Sequence, residues 1–486
     1  MAKTYVLHPG GADTNGGGYT ANYSGSWDQW HSSFGPIDIA NDATITNNGS
    51  GKVRLTKSSA FDGAMVGMLA YCDFSDTYTD GRYEILAVDA SNNYIDIDLA
   101  YDSNVPTANV TVGGAILTPK AAVAAAYAPT ANGDILLVPC NQTSQTINEV
   151  DGSGDAMVCI TAAYKLDIRG VNETTGALLG YGDVWPVIRA KTGSTWAANT
   201  SMLYMQSTAG SNATSYLNLD KIILDGNALT PRVVRLGDDA SDYVVCLWGD
   251  VKITNPASTG YAIYQYGYTN GFAHTIHIDG GGTGGTGYYN YGNRPLIAVA
   301  KYLWINDFAV AGLNIGDGSA ATVLNTMHGP IILSNCTTGL ISDRYNVYWN
   351  QVTFVNNVID IRLNKYNTEK RICRFYNCLF YNDNASGKII GSNDDGTYVS
   401  VEMYNCALGV ANGADVCSAF VINDIDCVSL SGDPFVDKSS DDYRLDPAGD
   451  DFASIYNWDT GLFAGALGPS EPDSAPSNPF DPGIFH

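Results

Sequence analysis

A short phrase recurs along residues 344–431, and it constrains the fold more than any other feature of the sequence. It reads Trp-Asn-Gln-Val-Thr-Phe-Val-Asn at 349–356, Tyr-Asn-Cys-Leu-Phe-Tyr-Asn at 376–382 and Tyr-Asn-Cys-Ala-Leu-Gly at 404–409. A looser copy, Ile-Asp-Cys-Val-Ser-Leu, follows at 425–430. The leading Asn350, Asn377, Asn405 and Asp426 are 27, 28 and 21 residues apart. A period of about 20–30 residues in a strand-rich chain is typical of a solenoid, in which each unit buries its apolar face only against its neighbours.

The composition of each copy predicts strand rather than helix. Apolar residues alternate within the copies, and β-branched and aromatic types dominate. Asn suits the turn before each strand because it tolerates the left-handed backbone conformation. Stacked coil on coil, these Asn side chains are expected to form an amide ladder in which each bonds the next. Weaker copies precede them at Asp220, Asp250, Asn306 and Asn335. The sequence therefore predicts a parallel β-helix.

Four cysteines accompany the repeat. Cys336, Cys378 and Cys406 each follow a repeated Asn, and Cys427 follows Asp426. We expect them to occupy one position in successive coils as buried free thiols. The alternative is a disulfide between neighbouring coils, which the spacing of adjacent strands permits.

The chain divides into three predicted parts. Residues 1–117 contain short alternating strands between turn clusters, which is typical of a β meander or a small barrel that could serve for attachment. Thr118 and Pro119 begin an Ala-rich segment, the one strong helix signal, which we expect to cover the open end of the solenoid. This capping helix and the solenoid span 118–435. A C-terminal cap and a Pro-rich tail span 436–486.

The charge balance limits the possible partners. The net charge is −25, from 25 Lys and Arg against 50 Asp and Glu. This argues against binding nucleic acid or an anionic membrane, and it disfavours polyuronate substrates unless Ca²⁺ bridges the like charges. The sequence shows no secretory signal and no membrane-span-length apolar run, so we expect a soluble protein that leaves the cell by lysis. No metal-site or cofactor motif is present, so we predict neither group.

A cluster of charged residues at 343–374 is the best enzymatic candidate. Alternation in 358–363 predicts that Asp360 and Arg362 face outward. An outward carboxylate beside cations could act in a glycosidase or lyase site. The alternative, which we favour, is a cross-coil salt bridge, because the pattern places no second carboxylate. The candidate catalytic residues, should the protein be an enzyme, are Asp343, Asp360, Arg362, Lys365 and Arg374.

Tyrosines and histidines form two further candidate groups. Aromatic side chains on strands suit sugar stacking or a subunit interface, although exposed strand tyrosines without a role are also common. His274 and His277 lie close to Asp279 and could form a metal or acid–base group, but a surface strand pair is favoured. The candidate contact residues are Tyr264, Tyr266 and Tyr268, predicted on one strand face, and Tyr288, Tyr289 and Tyr291, which follow the glycine-rich stretch at 280–287.

Three features together resemble right-handed parallel β-helix proteins of the pectin-lyase-like type. They are the Pro-led helix before Gly133-Asp-Ile, the coil phrases ending in Asn or Gly such as Ile-Leu-Asp-Gly at 223–226, and a closing motif. That motif is Gly-Asp-Pro-Phe-Val-Asp at 432–437 with Tyr-Arg-Leu at 443–445, followed by the short Phe-Ala-Gly-Ala-Leu segment at 463–467. The stretches 63–71 and 81–88 are similar to the head module found before β-helices in tailed-phage structural proteins.

This resemblance implies a function as well as a fold. The expected fold is all-β, a right-handed parallel β-helix with a small N-terminal β domain and a short capping helix. The expected function is that of a non-catalytic structural virion protein, such as a capsid decoration, fibre or tail component. By the same resemblance we expect self-association as a trimer, with other virion proteins and neutral cell-surface glycans as partners. The alternative is a glycan-cleaving tailspike or a secreted polysaccharide hydrolase or lyase acting through the 343–374 face.

Overall fold

The structure is a computed structural model. It describes residues 2–75, 78–102, 107–129, 133–152, 157–160, 164–206, 214–237, 243–266, 268–291, 298–316, 326–327, 330–342, 347–363, 371–383, 387–392, 399–410, 422–440, 442–449, 451–457 and 462–463.

The first third of the chain contains short strands and one substantial helix. The helix α1 spans Pro119–Ala126, and a 3-10 helix spans Trp27–Trp30. The strands are β1 Lys3–Val6, β2 Gly18–Thr20, β3 Asp38–Asn47, β4 Lys52–Thr56, β5 Leu69–Phe74, β6 Gly81–Asp89, β7 Tyr94–Ala100, β8 Thr107–Val112, β9 Ala128–Pro129, β10 Ile135–Cys140, β11 Ile147–Val150, β12 Met157–Ile160, β13 Tyr164–Asn172 and β14 Val187–Ala190.

In the described remainder the regular elements are strands, apart from two short helices. A second 3-10 helix spans Lys438–Ser440, and a short helix α2 spans Phe452–Ile455. The strands are β15 Leu203–Gln206, β16 Ser215–Asp220, β17 Ile222–Asp225, β18 Arg232–Leu236, β19 Tyr243–Thr254, β20 Tyr261–Gln265, β21 Tyr268–Asp279, β22 Thr286–Tyr291, β23 Ala298–Asn306, β24 Ala311–Gly316, β25 Thr326–Met327, β26 Ile331–Ser334, β27 Thr338–Ser342, β28 Val347–Asn350, β29 Val352–Val355, β30 Ile359–Leu363, β31 Arg371–Tyr376, β32 Leu379–Asn382, β33 Lys388–Ser392, β34 Val399–Tyr404, β35 Ala407–Val410, β36 Ile422–Ile425, β37 Val428–Ser429, β38 Phe435–Asp437, β39 Asp442–Leu445, β40 Tyr456–Asn457 and β41 Leu462–Phe463.

Three long sheets build the body of the molecule. They contain 17, nine and five strands, and we call them the large, nine-stranded and five-stranded sheets. Successive coils pair in parallel: Thr353 of β29 pairs with Leu379 of β32, and Leu379 with Ala407 of β35, steps of 26 and 28 residues. The chain is thus all-β and solenoid-like, as the repeat predicted, and its long parallel sheets are compatible with a β-helix.

The N-terminal strands form a separate closed barrel. Its strand order is β3-β4-β7-β6-β5-β8, and its core includes Trp30, Phe61 and Met68. Strand β1 does not belong to it, because Thr4 pairs in parallel with Ile135 of β10 and extends the large sheet. The first strand of the chain therefore links the barrel to the solenoid through backbone hydrogen bonds.

Residues with left-handed backbone lie at two corners of several successive coils. At the corner between the five-stranded and large sheets these residues are Gln351, Asn377, Asn405 and Asp426. At the corner between the large and nine-stranded sheets they include Asn335 and Asn356. Cys336 therefore lies at the second corner, whereas Cys378, Cys406 and Cys427 lie at the first. The prediction that all four cysteines share one position is wrong for Cys336.

The predicted amide ladder is confirmed at the first corner. The Nδ2 of Asn377 donates to Oδ1 of Asn350 at 2.9 Å, and the Nδ2 of Asn405 donates to Oδ1 of Asn377 at 2.5 Å. A second ladder joins Nδ2 of Asn335 to Oδ1 of Asn306 at 2.9 Å at the other corner. The four cysteines of the repeat are free thiols, as favoured from the sequence.

Helix α1 and the hairpin β38–β39 pack on different parts of the solenoid. Thr118 caps the N-terminus of helix α1, because its hydroxyl accepts from the backbone N–H of Ala121 at 3.3 Å, and the buried Val123 of this helix belongs to the solenoid core. The hairpin β38–β39 packs Phe435 and Tyr443 against the large sheet, where they meet one residue from each of four successive strands. Those residues are Ile332, Val355, Leu379 and Ala407. The hairpin therefore lies along the side of the solenoid. No helix in the described ranges is long and apolar enough to span a bilayer.

Candidate binding face

A row of aromatic and basic side chains lies on the outer side of the nine-stranded sheet. In register across β15, β18, β20 and β22, Tyr204 pairs with Arg235, Arg235 with Tyr264, and Tyr264 with Tyr289. In its own strand, each of these four residues lies between two buried residues, and Met205 and Ile263 are examples of such buried neighbours. We call this surface the tyrosine–arginine face, and it consists of Tyr204, Arg232, Arg235, Tyr261, Tyr264, Tyr266, Tyr289 and Tyr291.

The rings of this face stack on one another along the solenoid axis. Tyr264 and Tyr289 stack with ring centroids 5.4 Å apart, and Tyr266 and Tyr291 stack at 4.7 Å. The guanidinium carbon of Arg232 lies 4.1 Å from the centroid of the Tyr264 ring. The flat faces of these rings are thus largely used within the protein, so ring edges and phenol hydroxyls are what remains for a ligand. Hydrogen bonding, more than flat stacking, is the contact this surface can make.

The face is basic although the chain is acidic. In the described strands of the nine-stranded sheet the only carboxylate is that of Asp360, which is buried. Arg232 and Arg235 are the two partly exposed residues of β18, and they lie three positions apart. Burial, and next the neighbouring Arg235, lower the pKa of Arg232. The described strands of this sheet therefore carry cations, such as Arg232 and Arg362, and no exposed carboxylate.

The structure brings together most of the tyrosines predicted as contacts. Tyr264, Tyr266, Tyr289 and Tyr291 lie on the tyrosine–arginine face. The prediction that Tyr268 shares a strand face with Tyr264 and Tyr266 is wrong, because Tyr264 belongs to β20 of the nine-stranded sheet and Tyr268 begins β21 of the large sheet. The prediction for Tyr288 is wrong, since its side chain is buried and its hydroxyl donates to Oε1 of Gln265.

Sequence reasoning missed Tyr204, Tyr261 and the two arginines of β18. In β18 and β20 the outward residues are three positions apart, at Arg232 and Arg235 and at Tyr261 and Tyr264, with two buried residues between them. Simple alternation places such residues on opposite faces. Their common spacing in successive coils is the signal that could have identified them.

The same spacing explains the error at Asp360. Strand β30 also has two consecutive buried residues, Asp360 and Ile361, between the more exposed Ile359 and Arg362. Asp360 is fully buried, so the prediction that it faces outward is wrong. Its Oδ1 accepts from Nδ2 of Asn357 at 3.0 Å, and its Oδ2 has no partner in the described part of the chain. Burial raises the pKa of this carboxyl well above its usual range.

The remaining members of the charged cluster do not form one face. Asp343 and Lys365 lie outside the described residues. Arg362 is on β30 of the nine-stranded sheet, whereas Arg374 is on β31 of the five-stranded sheet. The Nε of Arg374 donates to Oε2 of Glu402 on the next coil at 2.6 Å. Arg374 thus forms the kind of cross-coil salt bridge that the sequence favoured over catalysis.

A buried polar network replaces the predicted surface histidine pair. Nδ1 of His274 lies 2.7 Å from Oδ1 of Asp250, whose other oxygen accepts from Lys221. All three side chains are nearly inaccessible, so the surface prediction is wrong for His274. His277 stacks on Trp304 with centroids 4.0 Å apart. The described residues contain no group of His, Cys, Asp and Glu side chains that could hold a metal ion.

No protein-family model, no curated protein and no solved structure matches this chain. Its class therefore rests on its own architecture, an all-β chain of long parallel sheets with a solenoid-like repeat.

Proposed function

We propose that the protein is a non-catalytic structural component of a virus particle, such as a capsid decoration, fibre or tail protein. Its right-handed parallel β-helix, of the pectin-lyase-like type, acts as a rigid rod that presents the tyrosine–arginine face to a glycan or to a partner surface. The observation that carries the proposal is this face itself. Aromatic and basic side chains are ordered by stacking and strand register over β15, β18, β20 and β22, and such residues dominate binding surfaces.

The solenoid supports a rod-like role. Asn ladders at two corners and stacked core rings such as Phe354 on Phe380, 4.7 Å apart, tie each coil to the next. Stacked repeats of this kind transmit stability from neighbour to neighbour along the whole array. The barrel is proposed to attach the rod to the particle, and the chain is proposed to assemble as a homo-oligomer, a trimer.

A glycan array and light scattering on the full chain test this proposal. The wild type is expected to bind a subset of cell-surface glycans and to elute as a trimer, without releasing any product from them. The double variant Y264A/Y289A, which removes the central stacked pair, is expected to lose glycan binding and keep the oligomeric state. A monomer that binds no glycan and no particle protein would refute the proposal.

One observation favours the alternative, glycan cleavage. Asp279 and Asp307 lie near the corner between the large and nine-stranded sheets, beside the glycine-rich turn that leads into β22. Burial, and next the charge of Asp279, raise the pKa of the Asp307 carboxyl. A carboxyl with a raised pKa near a second carboxylate is one requirement for acid–base cleavage of a glycosidic bond. Release of new reducing ends by the wild type, abolished in D307N, would establish this alternative.

A further inference from the structure

Lys221 is a basic side chain held inside the solenoid. It occupies the turn between β16 and β17 with a φ of 55°, whereas left-handed turns elsewhere hold amides such as Asn377 and Asn405. Its side chain is 7% exposed, the lowest value among the described lysines that contact a carboxylate. A lysine in a left-handed turn is uncommon, and backbone outliers of this kind concentrate at functional sites.

The amine of Lys221 contacts two carboxylates. Its Nζ donates to Oδ2 of Asp250 on the next coil and lies 3.3 Å from Oδ1 of Asp220. The side chain of Asp250 is 1% exposed, so an amine and a carboxyl group are held together away from water. Gly249 makes room for this arrangement, because a Cβ there would lie 2.2 Å from Oδ1 of Asp220. Groups fixed in contact in this way react far more readily than the same groups free in solution.

His274 supplies a hydrogen-bond donor to the same carboxyl group. Its Nδ1 lies 2.7 Å from Oδ1 of Asp250, and because a carboxylate oxygen only accepts, Nδ1 carries the proton. The hydroxyl of Thr275 lies 3.4 Å from the same nitrogen. Nε2 of His274 is buried and has no hydrogen-bond partner in the described part of the chain. The ring is thus placed to stabilise negative charge that develops on Oδ1.

We propose that Lys221 and Asp250 form an intramolecular amide bond, a modification that cross-links two successive coils of the solenoid. The bond joins Nζ of Lys221 to Cγ of Asp250 and releases one water molecule. No oxidant and no other reactant is needed, because the chain supplies the amine, the carboxyl group and the hydrogen-bond donor. This inference is independent of the proposed contact function.

Proton transfers within the site balance the reaction. Nζ of Lys221 first gives a proton to Oδ2 of Asp250, which turns the ion pair into a neutral amine and a neutral carboxylic acid. The amine then attacks Cγ, while His274 donates to Oδ1. Asp220 accepts the second proton from Nζ and passes it to the departing hydroxyl, which leaves as water. Oδ1 remains as the oxygen of the new amide.

Burial determines when the bond forms. Burial alone would raise the pKa of Asp250, but hydrogen bonds from His274 and Lys221 outweigh it and lower the pKa. The ion pair is therefore the resting state, and the amine attacks from a minor neutral state. Because charged groups lose much of their solvation in an apolar interior, the neutral state costs less there than in water. The amide is accordingly expected to accumulate after folding.

Other lysine–aspartate contacts provide an internal comparison. Nζ of Lys165 lies 2.8 Å from Oδ2 of Asp167, but Lys165 is a quarter exposed and Arg169 bonds both oxygens of the carboxylate. Lys52 and Asp98 are each more than a third exposed. Both pairs are expected to remain unlinked, because the guanidinium or the solvent keeps the carboxylate ionised.

The mass of the denatured full chain tests the inference. The wild type is expected to weigh one water molecule less than its sequence, after allowance for removal of the initiator methionine. Digestion is expected to give a branched peptide that joins residue 221 to residue 250, with no tryptic cleavage after Lys221. K221R keeps a positive charge beside Asp250 without a primary amine, and it is expected to have the full mass of its sequence.

A time course after synthesis tests the role of His274. H274L removes the donor to Oδ1 and is expected to slow the loss of water about 100-fold, the range for a missing oxyanion donor. H274Q retains a donor and is expected to fall between H274L and the wild type. Circular dichroism establishes that each variant folds as the wild type does, and the wild-type mass decides the inference without any variant.

Three results would overturn the inference. The first is a folded wild type with the full mass of its sequence, which would leave the three side chains as an ion-pair network only. The second is a missing water that maps to a single unbranched peptide, as a succinimide at an Asp-Gly sequence would. The third is a branched peptide that joins other residues, such as 165 and 167, or that persists in K221R.

Discussion

Replacing Asn377 tests whether the amide ladder holds the last coils together. Asn377 is the central member, because its Nδ2 donates to Asn350 and its Oδ1 accepts from Asn405. It is also largely buried and has a φ of 52°. The substitution Asn377→Ala therefore removes two hydrogen bonds and places alanine in the left-handed region.

The expected loss follows from these contacts. Each hydrogen bond contributes about 1 kcal/mol net, so the ladder contributes about 2 kcal/mol at this position. The left-handed backbone adds about 1 kcal/mol for alanine. N377A is thus expected to lose about 3 kcal/mol, and N377G, which tolerates the conformation, about 2 kcal/mol.

Hydrogen exchange measures this loss locally. Backbone amides of β31, β32, β34 and β35 are expected to exchange about 100-fold faster in N377A, because about 3 kcal/mol of local stability corresponds to roughly two powers of ten. N93A is the control, since Asn93 has a similar φ of 55° but lies in an exposed barrel turn. It is expected to leave exchange in those four strands unchanged. Wild-type exchange in N377A would refute the ladder as a source of stability, and equal effects of N377A and N377G would refute the contribution of backbone strain.

Three further predictions concern buried groups. Burial raises the folded pKa of Asp360, so the unfolded state releases a proton that the folded state keeps, and wild-type stability falls as pH rises above about 4. Asp360→Asn is therefore expected to raise the melting temperature more at pH 8 than at pH 5, and an equal shift at both would contradict this. Asp250→Asn removes the nearer of the two carboxylates that contact buried Lys221 and leaves only Asp220 at 3.3 Å, so it is expected to lower stability by about 3 kcal/mol, seen as a lower denaturation midpoint; an unchanged midpoint would argue against the network. An alkylating reagent is expected to modify half-buried Cys427 before Cys406, because burial raises the pKa of the Cys406 thiol, and peptide mass spectrometry showing the reverse order would disprove it.

The repeat predicted the solenoid and one of its ladders because both depend on local properties. A left-handed turn favours Asn or a close substitute, and a buried strand needs apolar residues on its inner side. The turns and strands of each coil can therefore be predicted from the residues of that coil alone. The copies at Asn306 and Asn335 resembled those at Asn377 and Asn405, yet they belong to a different corner. Chemistry alone does not distinguish two corners that both require an amide and a left-handed residue.

The binding face depended on register between coils, which no single strand encodes. Tyr204, Arg235, Tyr264 and Tyr289 are separated by 25–31 residues in the chain and become neighbours only when β15, β18, β20 and β22 align. The burial of Asp360 had a different cause, because β30 departs from simple alternation and turns two consecutive side chains inward. The sequence by itself determined the strands, the turns and the repeat, since these follow from side-chain preferences within a coil. The tertiary structure decided which side chains meet on the surface and which charged groups are buried, since these follow from how the coils stack.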